Sequence, residues 1–122
     1  MTEKIKLITK QWLPVFLWAY FIFFMSSIPG KDIPPLFPYQ DIVYHTIIYG
    51  IFAVLLKRAL NHSFIKMDQL RQIFLVIFLG MIYAFTDEFH QRFVPQRSFS
   101  LLDLSTDAIG LFMGAMIHKW QR

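Results

Sequence analysis

The chain contains no cysteine. That excludes disulfide scaffolds, thiolate metal sites and cysteine nucleophiles. Charge is sparse: 16% of the 122 residues are Asp, Glu, Lys or Arg. No phosphate-binding glycine loop and no Ser/His/Asp signature occurs, and the histidines lack zinc-type spacing. The basic residues flank apolar runs instead of interleaving with aromatics in a patch, which argues against a nucleic-acid partner. Internal repeats, linkers and low-complexity segments are also missing.

What the chain has is apolar surface. Apolar residues make up 56%, there are 14 Phe, and the mean hydropathy is +0.45. A soluble domain this small cannot hide so much apolar area, because its surface-to-volume ratio is high; a domain bathed in lipid need not. One domain over residues 1–122 is expected. Four apolar runs predict helices near 12–28, 41–58, 70–91 and 101–120, hence an all-α, integral membrane four-helix bundle in a lipid bilayer.

The first run has 17 residues without a charge, close to the minimum for a bilayer at about 1.5 Å per residue. Lys4, Lys6 and Lys10 before it also fit a signal peptide, but the rest of the chain is itself membrane-like, so a retained helix is expected. Pro14 is expected in its first turn and Pro29-Gly30 at its end. The second run, with His45 inside it, is a weaker span on its own, and Lys57-Arg58 is expected to close it. Asp68 reads as an N-cap, and Ser100 with Asp103 as a capping box. Trp12 and Trp120 suit interfacial anchors, with His118 and Lys119 near the same inner interface as Trp120.

Four helices place the N-terminus, the middle loop and the C-terminus on one side. That side carries nine basic residues: Lys4, Lys6, Lys10, Lys57, Arg58, Lys66, Arg71, Lys119 and Arg122. The other carries three: Lys31, Arg92 and Arg97. The excess predicts both termini in the cytoplasm. Six of the eight acids then lie toward the outer face, with His45, His90, Ser26 and Ser27.

Helical spacing groups these residues. Gly80, Ala84, Asp87 and Gln91 share one face of the third helix, and Asp103, Asp107, Gly110 and Gly114 share one face of the fourth. The two small-residue pairs are expected to meet each other, with the polar residues above them. Asp41 and His45 are i, i+4 on the second helix, where the carboxylate is expected to orient the imidazole or else to cap the helix. Glu88 and Arg92 read as a solvated i, i+4 pair, and His62 and His90 as surface histidines. Asp107 lies deeper, where an unpaired carboxylate costs several kcal/mol. Asp41, His45, Asp87 and Asp103 are the candidate catalytic residues, since crowded carboxylates and an imidazole suit acid/base work. Ser27, Glu88, Gln91, Arg97 and Asp107 are the candidate ligand-binding residues, with Arg97 suited to a phosphate or carboxylate. No metal ligand set is assigned; the crowded acids would also suit a divalent cation such as Mg²⁺ or Ca²⁺.

Asp87-Glu88-x-x-Gln91-x-Phe93-x-Pro95-x-Arg97, followed by Asp103 and Gly110, resembles the VanZ-like family of small bacterial membrane proteins. Ser27-x-Pro29, Asp41-x-x-x-His45 and Tyr49 resemble that family's first-half pattern. The likeness runs over about residues 25–116. Gln96 departs from it, standing where the family usually has Gly before the Arg, and Asp107 stands where Asn or Asp is usual. The resemblance implies a multi-pass protein of the bacterial cell membrane. The founding member of the family is linked with low-level teicoplanin resistance; the family implies no settled enzymatic activity. Three functions are compatible with the residues: recognition of a cell-envelope lipid or peptidoglycan-precursor group, a hydrolase or transferase acting on a lipid-linked substrate, or a structural assembly partner. The sequence specifies no cofactor and no oligomeric state.

Overall fold

The computed structural model describes residues 2–62, 65–97 and 100–117. Within them lie four helices, α1 (Glu3–Ser26), α2 (Gln40–Asn61), α3 (Gln69–Gln91) and α4 (Leu101–Met116), with a short 3-10 turn at Gly30–Asp32 and no strand. Helices α1, α2 and α3 are long and apolar enough to cross a membrane. Helix α4 has 16 described residues, about 24 Å at the usual rise. His118, Lys119, Trp120 and Arg122 lie outside the described residues.

Caps set several boundaries. Asp68 accepts from Arg71 N at 2.8 Å, and Ser100 Oγ accepts from Asp103 N at 3.2 Å, as their spacing predicts. Helix α1 begins earlier than its apolar run, because Thr2 Oγ1 accepts from Ile5 N at 3.2 Å and Glu3 stands in the first turn. Pro14 is therefore inside α1 and not in its first turn, where it removes one helical hydrogen bond. Asp41 is not the cap of α2; that position is Tyr39, at φ 58° with no side-chain cap bond. Lys57 and Arg58 do not close α2, which continues to Asn61.

Contacts fix the topology. Arg58 Nε donates to Gln11 Oε1, and Trp18 Nε1 donates to Ile48 O at 3.0 Å, so α1 and α2 are antiparallel. Tyr83 OH donates to Ala19 O and, further along both helices, Phe23 stacks on His90, so α1 and α3 run parallel. His45 meets Asp107 at one end of α2, and Lys57 Nζ donates to Ala115 O at 2.6 Å at the other, so α2 and α4 also run parallel. Helix α1 packs on α2 and α3, leaving much of its surface bare. Phe16 is 67% exposed and Phe74 66%, while Ala53, Ala59, Val76, Ala84 and Ala115 are fully buried. Large apolar residues outside and small ones inside is the distribution that lipid solvent permits.

The closest crossing is between α2 and α4. A Cβ on Gly110 would collide with the Thr46 carbonyl, and one on Gly114 with the Gly50 carbonyl. The glycines of α4 thus meet α2, not the small residues of α3. Gly80 instead receives the Leu111 side chain. A hollow facing a side chain packs to density, whereas two facing hollows would leave a void. Lys57 is not a solvated inner-face cation: it is fully buried, and its bond to Ala115 O satisfies a carbonyl in the last turn of α4.

Candidate functional site

One end of the bundle is closed by two loops that clasp each other. Gly30 N donates to Pro95 O at 2.9 Å, Lys31 N to Gln96 Oε1 at 3.2 Å, and Arg97 Nη1 to Ile28 O at 3.3 Å. Any side chain at Gly30 would strike the Gln96 backbone. Gln96 itself has φ 60°, a left-handed conformation that favours glycine. Here its side chain bonds the facing loop, a contact glycine could not make.

Below this clasp, α2, α3 and α4 bring their polar faces together. Nδ1 of His45 lies 2.6 Å from Asp107 Oδ1, and its Nε2 lies 3.6 Å from Asp103 Oδ2. Both acids come from α4, one turn apart, so the imidazole sits between them. Tyr49, one turn below His45 on α2, donates its hydroxyl to Asp87 Oδ2 at 3.2 Å. Glu88, fully buried, accepts from Ser100 N at 3.2 Å and so ties α3 to the start of α4. With the Gln91 amide assigned so that its nitrogen faces Glu88 and its oxygen faces Arg97, it donates to Glu88 Oε1 at 3.2 Å and accepts from Arg97 Nη2 at 2.7 Å. Asp87 Oδ1 and Asp107 Oδ2 are buried and have no hydrogen-bond partner among the described residues.

A cavity of about 290 Å³ opens beside this network, between α1, α2, α3 and the two loops. Its polar lining includes Asp32, Asp41, His45, Asp87, Gln91 and Arg97; Ile22, Met25, Ile28 and Ile48 supply apolar wall. Arg97 contacts only neutral oxygens, those of Gln91 and Ile28, and no carboxylate lies within 4.0 Å of it among the described residues. On the α4 side of His45, which itself reaches the cavity, His45, Glu88 and Asp107 each offer one ligand atom within 4.8 Å of the others. An imidazole with two carboxylates would suit a first-row divalent metal more than Mg²⁺ or Ca²⁺.

The VanZ/LLP1 family profile matches residues 11–122. The chain belongs to that family. No curated protein and no solved structure gave a match.

In this VanZ/LLP1 protein the nine residues singled out by sequence divide into groups. His45, Asp103, Asp107 and Glu88 form one polar network, buried at Asp107 and Glu88 and half-buried at His45 and Asp103, while Asp41, His45, Asp87, Gln91 and Arg97 line the cavity. Asp41 does not orient His45. It stays exposed at the rim, because the imidazole turns toward α4 across the crossing that Gly110 allows. Ser27 joins neither group; its hydroxyl donates to Phe23 O at 2.8 Å, and Ser26 lines the cavity in its place. The buried stripe Gln11, Val15, Ile22 and Ser26, spaced by 4, 7 and 4, distinguishes the two serines in sequence terms. Glu88 is not a solvated partner of Arg92, whose guanidinium lies 5.8 Å from the Phe89 ring. His90 is half-buried, stacked on Phe23 at 4.5 Å between ring centroids. Tyr49 was missed as a site residue, although it stands at i+4 from His45 on the same face.

Proposed function

We propose that this protein recognises the anionic headgroup of a cell-envelope lipid or peptidoglycan precursor in the cavity beneath the clasped loops. The observation that carries this reading is Arg97. A guanidinium that lines a cavity and contacts only neutral oxygens retains its full charge for a phosphate or carboxylate. Its bonds to Gln91 and Ile28 hold the fork in place before a ligand arrives. The apolar wall suits the first carbons of a lipid, and exposed aromatics around the bundle suit the bilayer that would deliver it. The charge bias of the loops favours an extracytoplasmic cavity in the bacterial plasma membrane. A lowered susceptibility to teicoplanin is the cellular effect this reading carries, through occupancy of envelope components at the outer face.

Lipids retained by the purified protein test the reading. Wild type should retain a phosphate-headgroup lipid that Arg97→Ala loses, with helical content unchanged. Equal retention by both proteins would remove Arg97 from recognition.

His45 supports a second reading, acid/base catalysis on a lipid-linked substrate. It lines the cavity, and its Nδ1 is engaged by a buried carboxylate that would hold one tautomer and stabilise the protonated ring. Turnover of lipid-linked phosphates that disappears in His45→Gln would establish it; no turnover by wild type would reject it.

A further inference from the structure

The cavity's charges do not match one another, and the mismatch specifies more than an anion. Its lining carries three carboxylates, Asp32, Asp41 and Asp87, against the guanidinium of Arg97 and the His45 imidazole, which is already engaged by Asp107 and Asp103 of α4. Asp32 and Asp41 are exposed at the rim, where water stabilises them. Asp87 is 6% exposed. Its Oδ2 has the Tyr49 hydroxyl, its Oδ1 has no hydrogen-bond partner, and no Lys, Arg or His nitrogen lies within 4.0 Å among the described residues. Arg97 would be the natural counter-ion, yet it does not come within 4.0 Å of Asp87, and its guanidinium is taken by Gln91. Gln91 follows Asp87 by four residues, about 6 Å along the axis, and its amide oxygen accepts from the guanidinium at 2.7 Å. Arg97 and the buried Asp87 therefore line one cavity, neither with an ion-pair partner within 4.0 Å among the described residues; His45 and His90 act on Asp87, and Asp103 on Arg97, only from farther away. A purely anionic ligand would answer Arg97 and leave Asp87 uncompensated in a low-dielectric site, which is costly.

Building on the anion-binding role of Arg97 set out above, we propose that the occupant is zwitterionic: a primary ammonium held by Asp87, joined by a short bridge to a phosphate or carboxylate held by Arg97. An ethanolamine-phosphate lipid headgroup has this form. Its N–H donors match a carboxylate with an unmet acceptor, and its short bridge lets one headgroup present both charges inside a single cavity. The apolar wall of Ile22, Met25, Ile28 and Ile48 favours a headgroup that arrives on acyl chains over a free one.

The test is bound-lipid mass spectrometry of the intact chain in phosphatidylcholine nanodiscs doped with phosphatidylethanolamine or phosphatidylglycerol. Phosphatidylethanolamine should be retained about tenfold or more over phosphatidylglycerol, since a charge-assisted hydrogen bond is worth roughly 1.5–3 kcal/mol. It should equally exceed phosphatidylcholine, whose ammonium has no N–H. Asp87→Asn should bring the ratio to near one while retention of both phospholipids persists; Arg97→Ala should lose both. If Asp87→Asn does not accumulate, wild type alone decides: retention that falls stepwise as the ethanolamine nitrogen is methylated supports an N–H contact, and retention that is indifferent to methylation overturns it. Soluble phosphoethanolamine that displaces the lipid, where glycerol phosphate does not, supports the same chemistry, and its potency relative to the lipid identifies the source. Equal retention of phosphatidylethanolamine and phosphatidylglycerol by wild type would overturn the zwitterion and leave anion recognition standing. No Arg97-dependent retention of any lipid would overturn both.

Discussion

His45 and Asp107 pair across the α2–α4 crossing, Nδ1 to Oδ1 at 2.6 Å, with the Asp107 side chain fully buried. Neither group is served as well by any other partner: Asp103 is 3.6 Å from the imidazole's far side, and Asp107 Oδ2 has no bond among the described residues. Removing His45 leaves a buried carboxylate stripped of its partner. Breaking a buried pair this way costs about 3–5 kcal/mol, whereas removing both groups costs much less. His45→Ala should therefore lower the melting temperature in detergent more than the double variant His45→Ala/Asp107→Ala. A double variant as damaged as the sum of the two single ones would mean that the pair is not coupled.

The glycines of α4 and α2 should differ sharply in tolerance. A methyl group on Gly110 meets the Thr46 carbonyl, which belongs to a helix backbone and cannot swing aside. Overpacking of this kind costs about 1–3 kcal/mol. A methyl group on Gly50 meets Gly110 O at 3.5 Å, an ordinary contact. Alanine is also the better helix former there, by about 1 kcal/mol. Thermal denaturation should show Gly110→Ala destabilised and Gly50→Ala unchanged or improved. The reverse order would place the close approach elsewhere.

The helical bundle was legible because its signals are additive over many residues. Long apolar runs, the lack of cysteine and the Asp68 and Ser100 caps all point the same way. The membership of one polar cluster was legible through 4-residue spacing along each helix. Pairing between helices was not. Small residues on α3 and α4 looked complementary, but a sequence does not say which face of α4 turns toward which neighbour, and the answer was α2. The same rotation took His45 from Asp41, near in sequence, to Asp107, which is 62 residues away. Lys57 misled for a related reason. A lysine beside an arginine at the end of an apolar run reads as a solvated stop, and only the position of the α4 C-terminus turns it inward.

Lys57 therefore supplies a contrast with its exposed neighbours. Its ammonium donates to Ala115 O at 2.6 Å near the end of α4. Lys57→Met keeps much of the stem and removes the donor, leaving a buried carbonyl short of a partner at a cost of about 1–3 kcal/mol. Lys66 is exposed, and Lys66→Met should fall within about 0.5 kcal/mol of wild type. The comparison by chemical denaturation checks whether Lys57 belongs to the α2–α4 interface. Equal, negligible effects would remove it from that interface.

The orientation of the bundle is open to a direct experiment because the chain has no cysteine. Single cysteines can then be introduced without background labelling. Lys31 follows α1 on the side of the clasped loops, and Lys66 lies in the connection between α2 and α3 at the opposite end. Both are exposed, so replacing either disturbs little. With nine of 12 basic residues assigned to the side of the termini, that side should face the cytoplasm. A membrane-impermeant maleimide should label Lys31→Cys on intact bacterial spheroplasts and Lys66→Cys only after permeabilisation. The opposite pattern would turn the cavity and Arg97 toward the cytoplasm, and a role in recognising components of the outer face would fail with it. Labelling of both positions in intact cells would instead mean that the chain inserts in two orientations.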